Sequence, residues 1–386
     1  MTAALNPLDG ITVVALEHAV AAPFASRQLA DLGARVIKIE RPGVGDFARG
    51  YDGTVLGLSS FFVWANRGKE SLCLNLEQTA ERAVLQRLLG QADVFIQNLA
   101  PGATQRKGLD FPSLHAQFPK LIVCDISGYG DSGPFHQKKA YDLLIQAAAG
   151  LISVTGAPDA PARTGISIAD ISAGMYAYSG ILTALLQRAR TGAGLRVEVT
   201  MLEALAEWMS YPLNFAHYGG SPPARNGVAH PAIAPYGQYP AGDGKDIIFG
   251  LQNEREWVRF CVDVLQDPAV ATDERFSSNV LRVINRQALD ALIAECFAAL
   301  SRDEVLRRLD EGGIANSALN SMHEVWDHPQ LAARGRWRDV ATPAGPIRAL
   351  LPPATLSGTE AAMGDVPALG QHTEAILAEL GIDLTM

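Results

Sequence analysis

The chain has 386 residues, 48% of them hydrophobic and 19% charged, with a formal net charge of −9. That length predicts two or more domains with sizeable cores, and the acidic balance excludes nucleic acid and anionic membrane surfaces as general partners, since both demand an excess of Lys and Arg. No run approaches 18 consecutive apolar residues, and no charged start precedes an apolar segment, so a cytoplasmic protein without a membrane span is expected.

The first 130 residues alternate strand and helix. Ile11–Leu16 is a short β-branched run of the buried-strand kind, and Pro23–Leu32 reads as a helix with Pro in its first turn and Gly33 at its end. Strands follow at Arg35–Glu40, Ser71–Leu76, Asp93–Gln97 and Leu121–Ile126, with a helix at Thr79–Leu89. This rhythm predicts an α/β protein with a Rossmann-like, doubly wound parallel sheet. No Gly-x-Gly-x-x-Gly follows the first strand, where the chain reads Glu17-His-Ala-Val-Ala-Ala-Pro23, which argues against a dinucleotide oxidoreductase.

Gly165-Ile-Ser-Ile-Ala-Asp-Ile-Ser-Ala-Gly-Met-Tyr176 places one carboxylate, Asp170, where a helix begins. Ile171, Met175, Tyr178, Ile181 and Leu182 recur at helical spacing and predict a helix from Ile171 to Leu186, with Asp170 at or beside its N-cap. Ala173-Gly174 would leave space above it. Taken alone, such a carboxylate is a cap for free backbone N–H groups.

A turn at Thr191–Arg196 leads into a strand at Val197–Thr200 and a helix at Met201–Ala216. His217–Gly227 is Gly/Pro-rich and reads as a boundary or mobile loop. Beyond it a strand at Asp246–Gly250 and helices at Glu254–Leu265 and Arg286–Leu300 make a second, smaller α/β unit. From Val325 the chain is loop-rich and closes in a short helix near His372–Leu380. Cys73, Cys124, Cys261 and Cys296 show no Cys-x-x-Cys and no pairing with His. No metal site is expected, and Cys73 and Cys124 read as buried free thiols.

Several motifs now fall in order: Leu29-Ala-Asp-Leu-Gly-Ala-Arg-Val-Ile-Lys-Ile-Glu-Arg-Pro42, Gly45-Asp46 with Arg49, Asn66-Arg-Gly-Lys69, and Asn98 with Pro101-Gly102 and Arg106. Ser127-Gly-Tyr-Gly130, Gly133-Pro134, Tyr141-Asp142, the Asp170 segment and Asp327-His-Pro-Gln330 continue the series. Over almost the whole length the chain resembles the class III CoA-transferases (the CaiB/BaiF and formyl-CoA transferase family), and looks most like the succinyl-CoA:dicarboxylate branch. The resemblance implies an interlocked homodimer with no permanently bound cofactor, in which CoA or acyl-CoA and a small carboxylic acid are substrates. The expected division is residues 1–220 as the large CoA-binding and catalytic domain, 221–325 as the small domain and 326–386 returning to the large one.

The same resemblance makes Asp170 the covalent nucleophile. An aspartate of ordinary pKa, about 4, is ionised at neutral pH and needs no base to attack a thioester. Amides at the helix start would then steady the oxyanions. Arg41, Asn98, Arg106, Lys139 and the backbone of Ala19 are implied as the CoA site, where Arg forks and a Lys charge suit phosphates. His18 and Tyr141 are expected to line the substrate pocket.

The glycine run that closes formyl-CoA transferase is replaced here by Leu251-Gln-Asn-Glu-Arg-Glu-Trp257, which turns the expectation away from oxalate and formate. Arg225-Asn-Gly-Val-Ala-His-Pro231 with Pro235-Tyr236 looks like the branch acting on C4–C6 dicarboxylates. There Arg225 and His230 are either partners of a distal carboxylate or a loop arginine and a turn histidine. The expected reaction moves CoA from succinyl-CoA to an acid such as itaconate, mesaconate, malate or citramalate. Three alternatives stand beside it. One is an intramolecular CoA shift within mesaconyl-CoA. Another is an α-methylacyl-CoA racemase, which carries Gly-His-Asp where this chain has Ala140-Tyr141-Asp142. The third is a non-catalytic acyl-CoA-binding subunit, against which Asp170 itself argues.

Overall fold

Six short strands, β1 (Thr12–Leu16), β2 (Arg35–Glu40), β3 (Lys69–Cys73), β4 (Val94–Gln97), β5 (Ile122–Ser127) and β6 (Arg196–Thr200), pair in the order β3-β2-β1-β4-β5-β6. Every pairing is parallel. The structure is a computed structural model that describes residues 6–382. A parallel sheet needs cover on both faces, and the central strands β1 and β4 are accordingly almost wholly apolar on both sides. Val13, Ala15, Val36, Val94 and Ile96 pack on one layer of helices, while Val14, Leu16, Ile37, Ile39, Phe95 and Val123 pack on the Thr79–Leu89 helix and its neighbours. Strand order reverses between β1 and β4, which opens a crevice at their carboxyl ends.

Three helices matter to the site: α1 (Ala21–Asp31), α2 (Asp142–Ala148) and α3 (Ile168–Thr191). α3 starts three residues before the expected Ile171 and ends at Gly192, a left-handed cap with φ 74°. Gly174 is small because α1 passes close by, not because space is kept over Asp170. A Cβ there would lie 2.7 Å from the Ala21 carbonyl oxygen.

The chain divides into two units. The larger runs to Leu151 and takes up Thr164–Tyr211 and the chain from Leu331; the smaller is Ile152–Arg163 with Pro212–Gln330. These limits depart from 220 and 325, and Ile152–Arg163 leaves the large unit. The expected helix Met201–Ala216 breaks into Met201–Trp208 and Ser210–Gly219. Pro212 has no N–H for the Trp208 carbonyl, so the first helix stops there. The smaller unit holds an antiparallel sheet of Tyr236–Pro240, Asp246–Gly250 and Asn316–Ala318. Its core is aromatic, with Phe249, Trp257, Phe260, Phe276 and Phe297 buried. Among the described residues no helix is long and apolar enough to cross a membrane.

Candidate active site

The carboxyl ends of β1, β2 and β4 carry most of the expected ligand-binding residues. β1 runs into His18 and Ala19, β2 into Arg41, and β4 into Asn98, with Arg106 following in the short helix Ala103–Lys107. Asn98 grips the His18 backbone from both sides: Oδ1 accepts from its N–H at 3.0 Å and Nδ2 donates to its carbonyl at 2.8 Å. Its first role is therefore to hold the β1 loop. Arg41 is exposed, with its guanidinium 5.6 Å from the ring centre of Phe47. The His18 ring lies 4.6 Å from that same ring. Burial pulls the His18 imidazole below its ordinary value, with Lys38 and Arg41 adding and Asp46 opposing. That direction favours the neutral imidazole.

Arg106 folds back over Gly102, where a Cβ would come within 2.8 Å of Nη1. Lys139 is exposed, while its neighbour Lys138 covers the rings of Tyr129 and Phe135 at 5.7 and 4.9 Å. Tyr141, 70% exposed, precedes α2.

Asp170 is the third residue of α3, inside the first turn rather than at the cap. Ser167 makes no side-chain cap, and the cap comes instead from α2. Asp142 Oδ1 accepts from the N–H groups of Ala169 at 2.8 Å and Asp170 at 3.3 Å. Gln146 Nε2 donates to the other Asp142 oxygen at 2.7 Å, and its own oxygen accepts from Thr164 N. The Ile168 and Ile171 amides donate to the carbonyls of Ile166 and Ser167. The first-turn amides are thus engaged, which corrects the expectation that they stand free for an oxyanion.

Asp170 is half-buried. Burial, and then the Asp142 charge, push its carboxyl up to about 7. Full ionisation at neutral pH, expected from the ordinary aspartate value, is therefore replaced by a group poised at its midpoint. Sequence reasoning gave no role to Tyr51, whose phenol is raised by burial and then by Asp46, Asp170 and Tyr141, so it shares their field. Nothing in the local sequence marks it. Asp142 and Asp46 stood in the motifs without a function. For Asp46 the clue was Lys38, a charge set between Ile37 and Ile39 in the middle of a buried strand, which must find a buried partner.

In the smaller unit Arg225 is committed to its own backbone. Nε, Nη1 and Nη2 donate to the carbonyls of Ala157, Ser153 and Pro158 at 3.1, 3.1 and 2.7 Å. That geometry favours the loop-arginine alternative. His230 stacks on Tyr236 at 5.2 Å, and its Nδ1 accepts from Ala232 N at 3.2 Å, which leaves the proton on Nε2.

A doubly wound sheet with cations beyond its strand ends, and one desolvated carboxylate in the first turn of a helix, defines an α/β enzyme of the acyl-transfer class. The chain belongs to CoA-transferase family III, whose family model matches residues 8–373. It is 34% identical to the succinate–glutarate CoA-transferase of Agrobacterium fabrum, over 97% of this chain and 96% of that one. It is 36% identical to the acetyl-CoA:oxalate CoA-transferase of Acetobacter aceti, over 89% of each. A CaiB/BaiF family protein from Brucella suis has a similar structure, with TM-score 0.89 and 35% identity over 98% of this chain and all of that one. The protein is therefore a CoA-transferase with CoA thioesters as substrates.

Proposed function

We propose that the protein transfers CoA from succinyl-CoA to a C4–C6 dicarboxylic acid, with Asp170 as covalent nucleophile. The observation that carries this is a half-buried carboxylate whose ionisation is held near 7 and whose backbone is pinned by Asp142. Desolvation makes the ionised form a better nucleophile than an exposed aspartate.

The Asp170 carboxylate attacks the thioester carbonyl, giving a mixed anhydride and releasing CoA thiolate. The thiolate attacks the aspartyl carbonyl, which forms aspartyl-CoA and frees succinate. The acceptor carboxylate then attacks aspartyl-CoA, again giving an anhydride and thiolate. Attack of that thiolate on the acceptor carbonyl yields the new acyl-CoA and restores Asp170. Each intermediate keeps the acyl activation, so no ATP enters.

Arg41, Arg106 and Lys139 supply the charge for CoA phosphates, Ala19 meets CoA through its backbone, and Asn98 shapes that loop. His18 and Tyr141 border the acyl group. The relative named for succinate and glutarate supports a dicarboxylate acceptor.

Mass spectrometry of acyl-CoAs, after mixing the protein with succinyl-CoA and each acid of a C2–C6 panel, tests this reading. The panel includes oxalate, glutarate, itaconate, mesaconate, malate and citramalate. A new C4–C6 dicarboxyl-CoA is expected. Succinyl-CoA left intact with every acid would remove the donor assignment, and product with oxalate alone would remove the acceptor class.

The working state is proposed to be an interlocked homodimer. α3 leaves Met175, Tyr176 and Leu186 exposed, and an apolar face of this kind calls for a partner. Light scattering after size exclusion is expected to give twice the chain mass; an active species of single-chain mass would refute the dimer.

A further inference from the structure

Ala19 has φ 62°, in the left-handed region that a residue with a Cβ rarely adopts. Its N–H donates to Asp46 Oδ1 at 3.0 Å. The same oxygen takes the Ala48 N–H at 2.9 Å, and Oδ2 takes Lys38 Nζ at 2.8 Å. The side chains of Lys38 and Asp46 are both 0% exposed, so neither offers an atom to a ligand. Lys38 is also within 3.3 Å of Glu17 Oε1, and Lys69 donates to that oxygen at 2.7 Å. The backbone of Asp46 is fixed in turn, with its N–H on Glu40 Oε1 at 2.9 Å. Arg49 holds Glu40 through two bonds of 2.8 and 2.7 Å, and Ser71 donates to it at 2.6 Å.

Two consecutive residues of the β1 loop are therefore held by side chains that follow the ends of other strands, His18 by Asn98 after β4 and Ala19 by Asp46 after β2. A buried ion pair costs desolvation that packing with apolar groups would avoid, so its stability value alone is a poor reason for its presence. What it does visibly is keep a disfavoured backbone conformer in place.

We propose that Asp46, fixed by Lys38, is a positioning residue for CoA, holding Ala19 left-handed so that the β1 loop meets the ligand preformed. The proposal rests on the reading of that loop as part of the CoA site. Without the anchor, Ala19 relaxes to an ordinary conformation, and only a fraction of the molecules present the binding geometry. The dissociation constant rises by the inverse of that fraction. The bias against left-handed backbone sets the scale at roughly tenfold. Glycine at position 19 carries no such bias.

Calorimetric titration with CoA, kcat at saturating acyl-CoA and thermal melting are compared for the unaltered protein, Asp46→Ala and the double variant Asp46→Ala/Ala19→Gly. Asp46→Ala removes the acceptor of the Ala19 N–H; it is expected to weaken CoA roughly tenfold while kcat moves far less, and adding Ala19→Gly is expected to recover most of the affinity. Unchanged CoA affinity in Asp46→Ala, or no recovery in the double variant, overturns the proposal. If Asp46→Ala fails to fold, hydrogen exchange on the unaltered protein decides. The Ala19 amide is expected to be protected before CoA is added, and exchange at an unstructured rate until CoA arrives overturns the proposal. Absence of CoA binding by the unaltered protein would instead remove the functional reading, and the proposal with it.

Discussion

Asp170→Asn is expected to abolish CoA transfer, by more than about a thousandfold, while CoA affinity stays within a few-fold of the parent. The carboxamide keeps the shape of the side chain but cannot form the anhydride, and the implied CoA contacts lie at the strand ends rather than on α3. Incubation with succinyl-CoA and no acceptor should leave a CoA adduct on the Asp170 peptide of the unaltered protein and none on the variant. Residual turnover at a few per cent of the parent would rule out covalent catalysis by this residue.

The same substitution is expected to stabilise the fold. The folded pKa of Asp170 lies near 7, above the ordinary 3.8, so the unfolded chain ionises first. Well below pH 3.8 the group is neutral in both states and costs nothing. As pH rises towards 7 the folded state falls behind, and above 7 the deficit is complete. Asp170→Asn should therefore be more stable at pH 8 by ~2–4 kcal/mol, the upper figure being the whole shift, with roughly a quarter of the advantage left at pH 4.5. Denaturant melts at the two pH values measure it. Equal stability at pH 8 would mean that the carboxylate is not desolvated.

How much of this was legible in the sequence depended on where each element finds its partners. Arg35–Glu40, Thr79–Leu89 and Asp246–Gly250 occur at their expected limits, because periodicity and flanking residues are local signals. The start of α3 was displaced because its cap, Asp142, lies 28 residues back in the chain from Asp170. A tertiary cap leaves no mark beside the helix. The strands Tyr236–Pro240 and Asn316–Ala318 went unread because one ends in Pro and the other has three residues; each exists by pairing with Asp246–Gly250. The hairpin of Trp337–Val340 and Ile347–Leu350 lies in a stretch that read as loop, for the same reason. Arg302–Glu311 was the avoidable omission, since Ser301 and Glu304 form a recognisable helix start and the Ser301 side chain does accept from the Glu304 N–H.

The site divides in the same way. Residue types at strand ends were legible, but the direction of a hydrogen bond was not. Asn98 turned to the His18 backbone and Arg225 to three carbonyls, each a contact that only the folded chain displays. Thiol burial was half right: Cys124 is buried, whereas Cys73, at the end of β3, is partly exposed.

Asp142→Asn is expected to move the acid limb of kcat/KM to lower pH. In the unaltered protein kcat/KM for acyl-CoA should rise with pH and level off above an apparent pKa near 7, because it follows ionisation of the free enzyme's nucleophile. Asp142 contributes the second cause of that value, a like charge beside Asp170. The asparagine keeps an oxygen for the amides of Ala169 and Asp170, so α3 stays capped, while the charge is gone. Burial remains as the larger cause, and the limb should therefore fall by on the order of one pH unit without reaching the ordinary aspartate value. Ionisations of the acyl-CoA cancel in the comparison, since both proteins meet the same substrate. The new amide presents a donor to Gln146 Nε2, which now donates at 2.7 Å, so a modest loss of stability should accompany the shift. Asp142→Ala separates cap from charge: it removes both, and should cost a further ~1 kcal/mol through the uncapped first turn. An acid limb that stays near 7 in Asp142→Asn would assign the whole displacement to burial and leave Asp142 as a cap alone.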